Sequence, residues 1–103
     1  NANIAQLYNH FNPAVLRLIQ TTIRSAKEAG IWAGMCGEMA SDPHAAVLLL
    51  GMGISELSMS APSIPRVKEK LRSVSSMEAK EILAGVMKME DADEIKNYLA
   101  KIL

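Results

Sequence analysis

Apolar and small positions recur at spacings of three and four along the first third of the chain: Val15, Leu16, Leu18, Ile19, Thr22, Ile23, Ala26 and Ala29. That is the period of a helix with one face turned to a core. Asn12-Pro13 opens the stretch with a capping side chain and a proline at the first helical position, where a missing N–H costs nothing. Gly30 supplies a stop. The pattern predicts a helix from about Pro13 to Ala29. Ile31 to Met35 is an apolar run too short for a helix, and it reads as a buried parallel strand. Trp32 within it is expected to pack, with its N–H satisfied nearby.

Asp42-Pro43 repeats the cap-then-proline signature and predicts a second helix to Leu50, with Gly51 as its stop. Leu57 and Met59 alternate with serines and define a second strand. Pro62 and Pro65 punctuate a loop opening a helix through Val67, Lys68 and Leu71. Two capping-box patterns, Ser75-x-x-Glu78 and Asp91-x-Asp93-Glu94, announce two more helices. The first should bury Met77, Ala79, Ile82, Leu83 and Val86, the second Ile95, Tyr98, Leu99 and Ile102. A helix crossing between two strands makes them parallel, so the fold class is α/β. The last two helices form a C-terminal extension.

Composition narrows the class. Half of the 103 residues are hydrophobic but only 4% are aromatic, so aliphatic and methionine side chains must fill the core. Met35, Met52, Met59 and Met87 fall on strand or turn positions suited to that role. Eleven basic and eleven acidic residues leave no net charge, which argues against a nucleic-acid or anionic-membrane partner. The longest apolar run, Ala45 to Leu50, is far short of the roughly 18 residues of a membrane span. One cysteine cannot make an internal disulfide, which fits a reducing cytoplasm. Residues 1–103 read as a single, incomplete domain, because the chain opens Asn1-Ala2-Asn3 without an initiator methionine.

The chemistry-bearing stretch is Met35-Cys36-Gly37-Glu38, where the one cysteine stands between Gly34 and Gly37 as an apolar strand stops. In barrels of parallel strands, side chains at the C-terminal strand ends are those that reach substrate. The series from Met35 to Lys68, MCGEMASDPHAAVLLLGMGISELSMSAPSIPRVK, resembles the C-terminal end of the phosphoenolpyruvate-binding barrel of enzyme I of the bacterial phosphoenolpyruvate:sugar phosphotransferase system. The cysteine loop, the helix, the GMG turn and the SMS-x-x-SIPR stretch occur in that family's order and spacing. Leu7-Tyr8 and Asn12 to Ile19 extend the likeness upstream, so it covers the first three-quarters of the chain closely. Phosphoenolpyruvate synthases and pyruvate phosphate dikinases carry a similar cysteine loop but differ in the following strand region.

The resemblance implies the C-terminal portion of a (β/α)8 barrel, since a whole one takes about 250 residues. It implies a magnesium-dependent phosphoenolpyruvate-protein phosphotransferase that passes the phosphoryl group to a histidine on another domain. From there the group goes to a histidine-containing phosphocarrier protein in sugar uptake, and the enzyme is a cytoplasmic homodimer. Cys36 matches the family's proton donor. An ordinary thiol, with a pKa of about 8.5, is mostly protonated at neutral pH and can give a proton to an enolate. A nucleophilic role would need a neighbouring cation, and no Arg, Lys or His lies within several residues of Cys36. The family's phosphate-binding arginines, magnesium ligands and phosphorylated histidine belong to segments N-terminal of this one. No substrate-binding or metal-binding residue is therefore assigned here, and Arg17, Arg24, Arg66 and Arg72 take no such role.

Alternatives from other classes are a segment of a phosphoenolpyruvate synthase or pyruvate phosphate dikinase, and a non-catalytic assembly or dimerisation module with an inert cysteine. His10 and His44 lack a paired carboxylate or cysteine at ligand spacing, so they do not read as metal ligands. His44, in the first turn of its helix, is expected to face solvent.

Overall fold

The first predicted helix forms with its predicted cap. In the computed structural model, which describes residues 9–103, the Asn12 side chain accepts the Ala14 N–H at 2.8 Å and helix α1 (Pro13–Glu28) follows. Gly30 ends it in the left-handed region at φ 71°, where its own N–H donates to Lys27 and that of Ile31 to Ala26. Leu16, Ile23 and Ala26 make the buried stripe, whereas Leu18 is 68% exposed. Leu7 and Tyr8 lie outside the described residues.

Strand β1 (Gly34–Cys36) starts later than the apolar run suggested. Ile31 and Trp32 are each 64% exposed and precede the ladder. Strand β2 (Glu56–Ser58) pairs with β1 in parallel, joining Gly34 to Glu56, Met35 to Leu57 and Cys36 to Ser58. Met59, expected in this strand, follows it half-buried. The start of the ladder is pinned by Ser55, whose N–H donates to the Ala33 carbonyl at 2.9 Å while its hydroxyl oxygen accepts the Ala33 N–H at 3.3 Å.

Between the strands stand a single helical turn, α2 (Glu38–Ser41), that no apolar period announced, and helix α3 (Pro43–Met52). Asp42 caps α3 by accepting the N–H groups of His44 and Ala45. Ala45, Ala46, Val47, Leu48 and Leu49 are all fully buried, so this helix is apolar all round because it is covered all round. It does not stop at Gly51. The stop is Gly53, at φ 87°, with its N–H donating to Leu50 and that of Ile54 to Leu49. Gly51 serves packing instead: a Cβ placed there would stand 2.7 Å from the Ala79 carbonyl oxygen. Glycine lets α3 and the helix outside it approach backbone to backbone.

A 3-10 turn (Ala61–Ser63) leads into α4 (Ile64–Arg72), followed by α5 (Ser76–Val86) and α6 (Ala92–Ile102). Ser75 and Glu78 form the full reciprocal capping box at α5. At α6 only half forms: Asp91 accepts the Glu94 N–H, but the Glu94 carboxylate reaches back to the N–H of Glu90. Helix α5 lies on α3 through buried Ala79, Leu83 and Val86, and α6 adds Ile95 and Leu99 to the same core. Met77 is 66% exposed, against the expectation that it packs, because it lies on the outer side of α5 from those three residues. Ile102, at the end of α6, is 42% exposed as well. The result is a mostly helical α/β domain with two parallel strands. No helix among the described residues is long and apolar enough to cross a membrane.

Candidate active site

Side chains alternate across a strand, so the two-stranded ladder sorts its residues into two sets. Met35 and Leu57, partners in register, are half-buried and pack on the core. The other set, Gly34, Cys36, Glu56 and Ser58, is exposed. Cys36 is the last residue of β1 and a free thiol, and Ser58 is the last residue of β2 and its register partner. The thiol thus stands at the C-terminal ends of both strands, on their open face, where the sequence placed a chemically accessible cysteine.

Trp32 belongs to this face rather than to the core. It is two residues before Gly34, and a Cβ on Gly34 would meet carbons of the indole at 3.6 Å. The absence of a side chain at Gly34 leaves the ring lying along the exposed surface. Ser58 donates its hydroxyl to Glu56 at 3.2 Å, so these two polar side chains are already joined beside the thiol position.

Beyond Cys36 the chain turns sharply. Gly37 has φ 86° and ψ −153°, a region open essentially to glycine, and its carbonyl accepts both the N–H and the hydroxyl of Ser41. That turn sends α2 away from the strand end and leaves an open groove of about 640 Å³ lined by Gly37, Glu38, Ser41, Ser58, Met59, Ser60 and Ser63. The groove walls are small and mostly hydroxyl-bearing. Arg66, by contrast, lines a separate cavity of about 390 Å³ with His44, Glu69 and Lys70. Arg17, Arg24 and Arg72 are exposed on α1 and α4. No group of three or more His, Cys, Asp or Glu side chains placed to hold a metal occurs among the described residues.

Two features escaped the sequence reading. Ser58 follows from the alternation once Leu57 is known to point inward, but the register that sets it opposite Cys36 depends on the crossover between them. His10 is not without a carboxylate partner: its Nε2 lies 3.1 Å from Asp42 Oδ2, across 32 residues of chain. His44 is half-buried at the edge of the Arg66 cavity rather than facing solvent.

With this geometry in hand, comparison with known proteins gives a consistent answer. Residues 1–76 match the family of PEP-utilising enzymes through its PEP-binding domain, and the chain belongs to that family. It is 46% identical over 99 residues to phosphoenolpyruvate-protein phosphotransferase of Buchnera aphidicola subsp. Acyrthosiphon pisum, covering 96% of this chain and 17% of that protein. The protein of the same name from Haemophilus influenzae is 43% identical over the full 103 residues, which make up 18% of its length. That of Geobacillus stearothermophilus is 42% identical over 101 residues, covering 98% of this chain and 18% of the relative. The chain therefore spans less than a fifth of the curated relatives it matches, and the likeness continues through α5 and α6, where the resemblance read from motifs was only helical.

Proposed function

We propose that this chain is the C-terminal part of the phosphoenolpyruvate-binding barrel of a phosphoenolpyruvate-protein phosphotransferase, in which Cys36 protonates the enolate to give pyruvate. The observation that carries the reading is the exposed thiol at the last position of β1, in register with Ser58, itself one of four serines lining an open groove. The relatives named as phosphoenolpyruvate-protein phosphotransferases, at 42–46% identity, favour this enzyme over a phosphoenolpyruvate synthase or dikinase. In the whole protein β1 and β2 would be neighbouring strands of a (β/α)8 barrel, their exposed face forming part of its interior.

The reaction divides into two steps. The phosphoryl group leaves the enol oxygen for a histidine nitrogen on another domain: the P–O bond breaks and a P–N bond forms. The electron pair left behind makes an enolate, whose terminal carbon then takes the thiol proton, and the thiolate recovers its proton from water. A protonated thiol suits the second step because it needs no prior proton uptake. The first step depends on cationic clamps and a metal. The family resemblance implies that magnesium would be held by residues outside this chain, and no step above is routed through it. The phosphohistidine would then serve a histidine-containing phosphocarrier protein in sugar uptake, in a cytoplasmic homodimer.

The test is Cys36→Ser in the full-length enzyme. A hydroxyl keeps the size of the thiol but is a far weaker acid. Conversion to pyruvate should fall by about 10²- to 10⁴-fold, the usual contribution of a general acid, with phosphoenolpyruvate binding little changed. Unchanged turnover would make the thiol structural and overturn the assignment.

A further inference from the structure

Helix α2 is a single turn, Glu38–Ser41, that begins at Gly37 without a side-chain cap. One turn is not stable alone, since fixing its dihedrals costs more than its few hydrogen bonds return. Something must hold it against the core, because it is the segment that sets the direction in which the chain leaves Cys36. Burial of Met39 and Ala40, at 2% and 0% exposure, secures its middle. Its C-terminal end is secured by Asp42, whose N–H donates to the Met39 carbonyl at 3.3 Å.

Asp42 in turn is held at both oxygens. Oδ1 accepts from the N–H groups of His44 and Ala45, and Oδ2 is the atom that faces His10. An ionised carboxylate only accepts, so His10 Nε2 is the donor in this bond. The histidine is itself well anchored. Its side chain is 16% exposed, its ring lies 4.6 Å from that of Phe11, and Phe11 is buried in the core. The segment carrying both is closed by the Asn9 side chain accepting the Phe11 N–H and by Asn12 donating to the Asn9 carbonyl. Glu38 joins the two regions, lining both the groove beside Ser58 and a cavity of about 280 Å³ with His10, Asp42 and Lys96.

We propose that His10 is a positioning residue: through its hydrogen bond to Asp42 it holds Gly37–Asp42 against the core and so sets where the Cys36 thiol stands. The value of this to catalysis rests on the reading of Cys36 as the enolate acid. The tether itself does not, and the experiment reads the tether directly.

Amide hydrogen exchange and the rate at which Cys36 reacts with a chromogenic aromatic disulfide are measured on the 103-residue chain. In His10→Ala, exchange at Ser41 and Asp42 should accelerate about tenfold, the low end for losing a hydrogen bond to a charged group. Exchange at Leu83 and Val86 in α5 should stay unchanged, and the thiol rate should shift. His10→Gln, whose amide nitrogen can take the place of Nε2, should restore both. Asp42→Ser keeps a capping oxygen for α3 but is too short to reach His10. It should reproduce the local acceleration, and adding His10→Ala to it should change nothing more. Uniform acceleration through α5, an undiminished effect of His10→Ala in the Asp42→Ser background, failure of Gln to restore, or an unmoved thiol rate would each overturn the proposal. None of these results depends on whether Cys36 donates a proton to an enolate.

Discussion

Replacing Gly51 with alanine puts two physical effects in direct opposition. In an exposed helix interior, Gly→Ala stabilises by up to about 1 kcal/mol through helix propensity. At Gly51 the new methyl would stand 2.7 Å from the Ala79 carbonyl oxygen, 3.1 Å from its carbon and 3.2 Å from Leu83 Cβ. Two of those atoms are backbone, so no rotamer change relieves the clash, and α3 and α5 must part by roughly half an ångström. Overpacking of this kind costs about 1–3 kcal/mol. A gap of that size also forfeits a quarter or more of the dispersion energy of the contacts it opens. Packing wins, and the variant should lose about 1–2 kcal/mol, lowering Tm by roughly 5–10 °C for a domain of this size. Gly85 is the control. A Cβ there meets only Tyr98, at 3.6 Å, an ordinary contact. Gly85→Ala should therefore raise stability by about 0.5 kcal/mol. Thermal and urea unfolding followed by far-UV circular dichroism read both. Equal signs for the two variants, or a Gly51→Ala chain as stable as its parent, would refute the packing argument.

Leu49→Ala empties a fully buried position on α3 and should cost about 2–5 kcal/mol, seen as a lower urea midpoint. The Glu78 carboxylate is held below its ordinary range chiefly by accepting the Ser75 N–H, and further by the Ser75 hydroxyl. A depressed folded-state pKa adds stability that is complete above the unfolded value, about 4.3, and is lost as pH falls through the folded value. Glu78→Gln keeps the cap without the charge, so urea midpoints measured from pH 6 down to pH 3 should fall less steeply in the variant than in the parent. The 103-residue chain supplied with phosphoenolpyruvate, magnesium and phosphocarrier protein should release no pyruvate above buffer, because the cationic clamp and the phosphorylated histidine are proposed to lie outside it; release above that level would refute the division of labour.

What the sequence made legible was local. Asn12, Ser75 and Asp91 announce their helices because a capping side chain and the N–H groups it serves are only two or three residues apart. Gly30 could be read as a stop for the same reason. The position of Cys36 at a strand end followed from the apolar run before it and the glycines around it. What failed depended on distant neighbours. Gly51 and Gly53 look equally fit to end α3, and only Ala79, 28 residues beyond Gly51, distinguishes packing from stopping. Ile31 and Trp32 read as buried because they are apolar, yet they lie outside the three-residue ladder, and no local pattern shows which face the indole takes. Ser58 and the His10–Asp42 pair are products of the crossover and of chain return, and neither leaves a mark on nearby spacing.

The alternation along β1 makes the length of one short stretch a functional quantity. Met35 faces the core and Cys36 the exposed side of the ladder, and these exchange sides if a single residue is lost or gained between the Ser55–Ala33 clasp and Met35. Such a shift would seat a thiol against the core and present a thioether on the exposed side, with the composition of the stretch hardly altered. Insertions in the 3-10 turn at Ala61–Ser63 would leave that parity intact. In this chain the spacing from Ala33 to Cys36 thus bears on reactivity as directly as the identity of the cysteine does.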